Sequence, residues 1–214
     1  MRLELYLHPL SSYCHKVLIA LYENEVPFEP KLVDDPVVFS ELKHLWPMGR
    51  FPLLRDASRG VTVPESTVII EYLGRHYPGP VKLLPDDPDR ALHVRLADRF
   101  FDNFLHTPMQ KFPLESMRPA DQRDAYGLEE AKALYRRALD RFESEIAGRV
   151  WAMGDDFTLA DCAAAPPLFY GNRFFGPFRK SHPRAMAYLD RLTARPSYAR
   201  ALREAEPYMH LLPK

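Results

Sequence analysis

The chain has 214 residues, with 29 lysines and arginines against 29 aspartates and glutamates, and no run of one sign. That length can bury the core of one large or two small domains, and the balanced charge argues against a general nucleic-acid binder or a membrane-surface protein. The two cysteines, Cys14 and Cys162, are far apart and form no CxxC pair, which argues against a disulfide scaffold or a cysteine-based metal site and points to a reducing, cytoplasmic setting. No apolar run approaches the ~18 residues of a membrane span, and the first residues lead into a strand pattern and not a signal peptide.

Leu3, Leu5 and Leu7 alternate with Arg2, Glu4 and Tyr6, the period-two signature of a strand. His8-Pro9-Leu10 breaks it. Ser11-Ser12-Tyr13 then supplies N-cap candidates for a helix with Val17, Leu18, Leu21 and Tyr22 on one face. A second strand is expected over residues 28–33, followed by a polar stretch, 34–44, that is either a short helix or an irregular loop. Phe51-Pro52-Leu53-Leu54 reads as a short strand opened by a proline. Residues 56–60 form a turn, and Val61-Thr62-Val63 is β-branched throughout. Glu65 or Ser66 stands at the start of the next helix, which carries Val68, Ile69, Ile70, Tyr72 and Leu73. The first part therefore reads β-α-β, a variable helix, then β-β-α.

Residues 80–89, PVKLLPDDPD, are the best linker, with three prolines and three aspartates in ten positions. The domains expected on either side are residues 1–79 and 90–214. Beyond the linker the pattern is helical. Leu92, Leu96, Phe100 and Phe104 recur every four residues, and a long amphipathic helix is expected over 128–149. Thr158 and Asp161 form a capping box ahead of the apolar run 162–168, which should be buried. Two further helices, 183–193 and 197–205, flank Arg195-Pro196. The expected fold class is an α/β domain followed by an all-α one.

That order of motifs resembles the cytosolic glutathione transferases over nearly the whole chain. Leu3–Leu7 with Ser11-Ser12-Tyr13-Cys14-His15-Lys16-Val17 is similar to the first strand and active-site loop of the serine-type classes, theta and zeta among them. Pro47-Met48-Gly49-Arg50-Phe51-Pro52 is similar to the family segment ending in a cis-proline. Glu65-Ser66 matches its glutamate–serine pair, residues 154–161 its buried helix-capping motif, and residues 182–197 a helix and turn near its C-terminus. The resemblance implies a thioredoxin-like βαβαββα N-terminal domain, an all-helical C-terminal domain, glutathione as co-substrate without a metal, and a homodimer.

The task implied is to present the sulfur of glutathione as a thiolate. A thiol of pKa ~8.5 is only about 3% ionised at pH 7, and lowering that pKa by about two units needs roughly 2.7 kcal/mol. One or two charge-assisted hydrogen bonds supply this, and a hydroxyl at a helix N-terminus is well placed to donate one. Matching puts the catalytic position at Ser11, with Ser12 as the alternate. Taken without the other motifs, both serines simply cap the first helix. Cys14 is the second alternate: in the first helical turn, near His15 and Lys16, its thiolate would exchange disulfides with glutathione, unless it is a packed, inert thiol. Tyr6 is expected to pack in the strand and Tyr13 to lie on the site rim.

For binding, the resemblance assigns the Phe51 backbone to the cysteinyl part of glutathione, with Pro52 as the cis-proline. Glu65 meets the γ-glutamyl ammonium and Ser66 its carboxylate. Arg50, or else Lys43 or His44, meets the glycyl carboxylate. Asp98 and Asp102 either are solvated helix charges or reach a partner subunit's ligand. The small hydrophobic electrophile would meet aromatic residues among Phe100, Phe101, Phe104, Met109, Phe112, Phe169, Tyr170, Phe174 and Phe175, with Arg173 or Arg179 steering an anion.

Overall fold

The computed structural model describes residues 3–213, so Met1, Arg2 and Lys214 lie outside the described residues. Four strands, β1 (Leu3–Leu7), β2 (Glu29–Leu32), β3 (Leu53–Asp56) and β4 (Val61–Pro64), form one sheet in the order β2-β1-β3-β4. β1 runs parallel to β2, with Leu5 opposite Pro30, and antiparallel to β3, with Leu5 opposite Leu54. β3 and β4 form an antiparallel pair in which Leu54 faces Val63. Both faces of β1 are covered, so all five of its residues are buried, Glu4 included. The alternation still sorts the sides. Leu3, Leu5 and Leu7 join the main core, whereas Tyr6 packs with Val33, Leu42 and Leu53 under the second helix.

Helices α1 (Ser12–Glu23), α2 (Pro36–Leu45) and α3 (Ser66–His76) complete the first half, a thioredoxin-like domain. The polar stretch after β2 is helical because Asp35 caps it, its side chain accepting from Val37 N–H at 2.8 Å, and Pro36 opens the first turn. Residues 77–87 carry no regular element. They are pinned at their middle to both halves: Val81 N–H donates to Asn24 Oδ1 at 2.9 Å, and Leu83 C=O accepts from Leu159 N–H at 2.9 Å.

The all-helical second half consists of α4 (Pro88–Phe100), a π-helical turn (Phe101–His106), α5 (Thr107–Ser116), α6 (Ala125–Glu145), α7 (Leu159–Phe174), α8 (Pro183–Ala194) and α9 (Pro196–Ala205). The four-residue stripe read from the sequence is not the core side of α4: Leu92, Leu96 and Phe104 are exposed. The buried face is Ala91, Val94 and Asp98, continuing through Phe101, Asp102, Leu105 and His106. Helix α5 has no counterpart in the sequence reading, which Pro108 and Pro113 discourage. Pro108 lies in the first turn of α5, which continues directly from the π-helical turn. Helix α6 starts a turn earlier than expected because Asp124 Oδ1 accepts from Gly127 N–H at 2.7 Å.

Helix α7 is the buried axis of this half, as its apolar run predicts. Thr158 and Asp161 form the expected capping box. Tyr135 Oη donates to the Pro167 carbonyl at 3.0 Å, and a Cβ at Gly171 would lie 2.0 Å from that hydroxyl, so only glycine allows α6 this close. The two halves are joined at the far end of α1 by a forked ion pair, Arg195 Nε and Nη2 to Glu23, both at 2.6 Å.

Candidate functional site

The candidate site lies where three backbone turns, after β1, before β3 and after β4, meet at one end of the sheet. Ser11 precedes α1 in extended conformation, and its Oγ accepts from Cys14 N–H at 3.3 Å. It is therefore the helix cap, half-buried, with the Cys14 thiol also against its hydroxyl. Between α2 and β3 the Phe51–Pro52 peptide is cis, as the resemblance implies. Phe51 is half-buried and Pro52 buried, just before β3 and not within it.

Before α3, Glu65 adopts φ +70, a left-handed conformation that costs a residue with a side chain on the order of 1–3 kcal/mol. Its side chain is exposed and makes no cap hydrogen bond, while Ser66 is buried in the first turn. The strained residue thus leaves the N-terminus of α3 with no side-chain cap, where N–H groups and the helix dipole favour an anion.

A buried charge cluster ties these turns to the helical half. Lys16, in the second turn of α1, is fully buried, with Nζ 2.8 Å from Thr67 Oγ1, 2.5 Å from Asp98 and 2.8 Å from Asp102. Arg99 Nη2 adds contacts to Asp98 at 2.7 Å and to Asp102 at 2.5 Å. Asp98 and Asp102 are thus buried ion-pair partners, correcting the reading of them as solvated helix charges. Although burial pushes against ionisation, His106 and Lys16 hold the Asp102 carboxyl down at about 2.

Ser12 is nearly buried, at 6% exposure. Its Oγ lies 2.6 Å from His106 Nε2 and accepts from Gln110 Nε2 at 3.2 Å. The Tyr13 ring stacks on His106 with centroids 3.7 Å apart. Burial pushes the Tyr13 hydroxyl up to about 12, so at neutral pH it is a donor and not an anion. Sequence reasoning missed Lys16, Thr67, Arg99, His106 and Gln110; a lone charged or polar residue in an amphipathic helix carries no signal of its distant partner.

Cys14 does not occupy the ligand-facing position its alternate role requires. It is fully buried, and burial pushes its thiol up to about 12, overriding the contacts from Ser11 and His8 that pull the other way. Tyr6 is fully buried, and burial raises its pKa. Arg50, Lys43 and His44 are all exposed, with Lys43 Nζ 4.5 Å above the Phe39 ring.

The aromatic candidates divide three ways. Phe101, Met109 and Tyr170 are core residues, and Phe104 is exposed beside Phe100. Phe112, Phe174 and Phe175 form a half-buried cluster, Phe112 stacking on Phe174 at 5.1 Å. Arg179 is committed to Asp190 by two bonds of 3.0 and 2.9 Å, which removes it as a steering cation; Arg173 is exposed. A cavity of about 820 Å³ opens elsewhere, between residues 80–90 and the Trp151–Thr158 loop, away from these groups. Among the described residues, no group of three or more His, Cys, Asp or Glu is set to hold a metal ion.

A thioredoxin-like domain with a cis-proline and an open helix N-terminus, followed by an all-helical domain, defines a glutathione-transferase fold. Residues 5–81 match the family model for the glutathione S-transferase N-terminal domain, and residues 105–196 that for its C-terminal domain. The chain belongs to the glutathione transferase family. It is 32% identical to a stringent starvation protein A homolog of Coxiella burnetii, covering 78% of this chain and 75% of that protein. It is 31% identical to a probable maleylacetoacetate isomerase of Caenorhabditis elegans, covering 79% of each. A glutathione S-transferase of Methylobacterium radiotolerans, solved in complex with glutathione sulfonate, superposes with TM-score 0.81 at 31% identity, covering 94% of each chain.

Proposed function

We propose that the chain binds glutathione between the N-termini of α1 and α3 and presents its thiolate to a small, largely hydrophobic electrophile, or assists an isomerisation. The observation that carries this is the juxtaposition of the two helix starts, tied together by the 2.8 Å bond from Lys16 to Thr67. Both dipoles then favour negative charge at one place. Ser11 donates to the sulfur, the Phe51 backbone pairs with the cysteinyl unit beside Pro52, Glu65 meets the γ-glutamyl ammonium, and Ser66 its carboxylate. Arg50 is assigned to the glycyl carboxylate. Phe112, Phe174 and Phe175 line the electrophile's side.

The protein is proposed to act in the cytoplasm as a homodimer, formed along the exposed apolar residues Val68, Leu92, Leu96 and Phe104. Analytical ultracentrifugation tests the dimer: Leu96→Glu should yield monomers. The relatives named as stringent starvation protein A homologs support keeping a second reading, a non-catalytic interaction protein on this fold. A thiol transferase acting through Cys14 finds no support in that residue's burial.

Titration calorimetry with glutathione separates the first two readings, and turnover of a chlorodinitrobenzene-type electrophile and a maleyl-type isomer then identifies the reaction. Binding at millimolar concentration or tighter, with turnover, is expected. Absence of binding would leave the interaction protein as the reading.

A further inference from the structure

Ser11 and Ser12 are adjacent hydroxyls at one helix start, but their surroundings give them opposite hydrogen-bond polarity. His106 is completely buried, and burial lowers its pKa, so the imidazole is neutral and carries one ring proton. Its Nδ1 faces Asp102 Oδ1 at 3.8 Å, and neither atom has a hydrogen-bond partner among the described residues. Asp102 is ionised, so a lone pair on Nδ1 would oppose a carboxylate; the ring proton belongs on Nδ1. Nε2 is then an acceptor, and the 2.6 Å contact must be a hydrogen bond donated by Ser12. The Gln110 amide, donating to Ser12 Oγ from 3.2 Å, fits that assignment.

Ser12 has therefore committed its proton to His106, and its remaining capacity is as an acceptor. Ser11 is the reverse. Its oxygen accepts from the Cys14 N–H, and a neutral thiol is a weak acceptor, so its proton remains available to an anionic sulfur. The π-helical turn positions the relay, since it brings Asp102 and His106 onto the same side as Asp98, facing α1.

We propose that the two serines divide the activation of the thiol: Ser11 donates to the sulfur, and Ser12 accepts the thiol proton and passes its own to His106. This rests on the reading that the site binds glutathione. In the step, the S–H bond breaks as an O–H bond forms on Ser12, and the former Ser12 O–H bond breaks as an N–H bond forms on His106 Nε2. The resulting imidazolium faces Asp102 and gives the proton up to water, back through Ser12, before the sulfur attacks, so the relay sets the rate of thiolate formation and not its equilibrium. The titratable groups around His106 are Asp102 and, on α1, Tyr13, His15 and Lys16; Lys16 opposes the imidazolium while Asp102 favours it. His106 acts through Ser12 and is a positioning residue.

The test follows thiolate absorbance in the ultraviolet after rapid mixing with glutathione, at low buffer concentration, with calorimetric affinity measured alongside. His106→Gln and Ser12→Ala should slow thiolate formation by about 100-fold, the order of a general-base contribution, with affinity and the pH midpoint of the bound thiol unchanged. Ser11→Ala should instead raise that midpoint. If His106→Gln does not fold, Ser12→Ala leaves the buried imidazole in place and carries the test. Thiolate formation at the wild-type rate in folded Ser12→Ala protein would overturn the relay. Failure of the wild-type protein to bind glutathione would overturn the site reading itself, and with it the relay.

Discussion

Two buried carboxylates, Asp102 at the junction of the two halves and Asp161 inside the helical half, are compensated in different ways. Asp102 is held by cations from afar: Lys16, 86 positions away on α1, and Arg99 beside it. Among the described residues Asp161 touches no cation. It accepts from the backbone N–H groups of Ala152 and Thr158, both at 2.8 Å, from Thr158 Oγ1 at 3.1 Å and from Tyr188 Oη at 2.7 Å. The pKa directions follow. Lys16 and His106 hold Asp102 down, whereas burial outweighs the hydrogen bonds and pushes Asp161 up. Fixed local donors orient a carboxylate without neutralising it, while a paired cation neutralises it and welds two domains together.

The comparison is broken most severely by removing the cation. Lys16→Met leaves Asp98 and Asp102 buried with Arg99 alone, and a broken buried pair costs about 3–5 kcal/mol. Urea unfolding should report a loss of that order, larger than for any single donor to Asp161.

Acid should expose the same junction. His15 is completely buried with Nε2 2.6 Å from the Pro9 carbonyl, and burial pushes it down to about 4. A histidine whose folded pKa lies below its unfolded value stabilises the protein above about 6.5, and this is lost as pH falls toward 4. The shift corresponds to about 3 kcal/mol. The pH dependence of unfolding should show that loss, and His15→Gln should flatten it. Asp102, lowered from 3.8 to about 2, adds stability that is lost only below that window.

Within the helical half, Asp161→Asn places an NH2 group among donors and leaves one of them unpaired. A loss of about 1–3 kcal/mol is expected in the same unfolding assay, with little effect on glutathione binding because the partners of Asp161, namely Ala152, Thr158 and Tyr188, all lie within the helical half. The smallest stability effect belongs to Ser11→Ala, a lost helix cap worth about 1 kcal/mol. Its larger consequence is chemical: the bound thiol should titrate about one to two pH units higher, measured by thiolate absorbance.

How legible each feature was in the sequence follows the same division. The capping box at Thr158 and Asp161 was readable because its partners lie three residues apart. The Asp35 and Asp124 caps are equally local but precede weakly periodic helices, so α2 stayed ambiguous and the start of α6 was set too late. The apolar spacing of Leu92, Leu96, Phe100 and Phe104 marks a helix, and a helix is there, but periodicity reports a face and not what covers it: Leu92, Leu96 and Phe104 are exposed. Ser11, Phe51-Pro52 and Glu65-Ser66 are proposed from resemblance, which also anticipates the cis Phe51–Pro52 bond. His106 and Lys16 are not, because their meaning depends on residues 94 and 86 positions away.

Resemblance singled out the small motifs around residues 11, 52 and 66; the sequence alone determined the strand order, the helices other than α2 and α5, and the caps whose partners lie within a turn. Those depend on backbone hydrogen bonding and side-chain periodicity, which act over a few residues. Tertiary structure alone decided that Ser12 is bonded to His106 while Ser11 caps α1, that Cys14 is sealed in the core, and that two aspartates of α4 and its π turn face a lysine of α1. Burial and long-range pairing set protonation and hydrogen-bond polarity, and both exist only once the two halves have packed together.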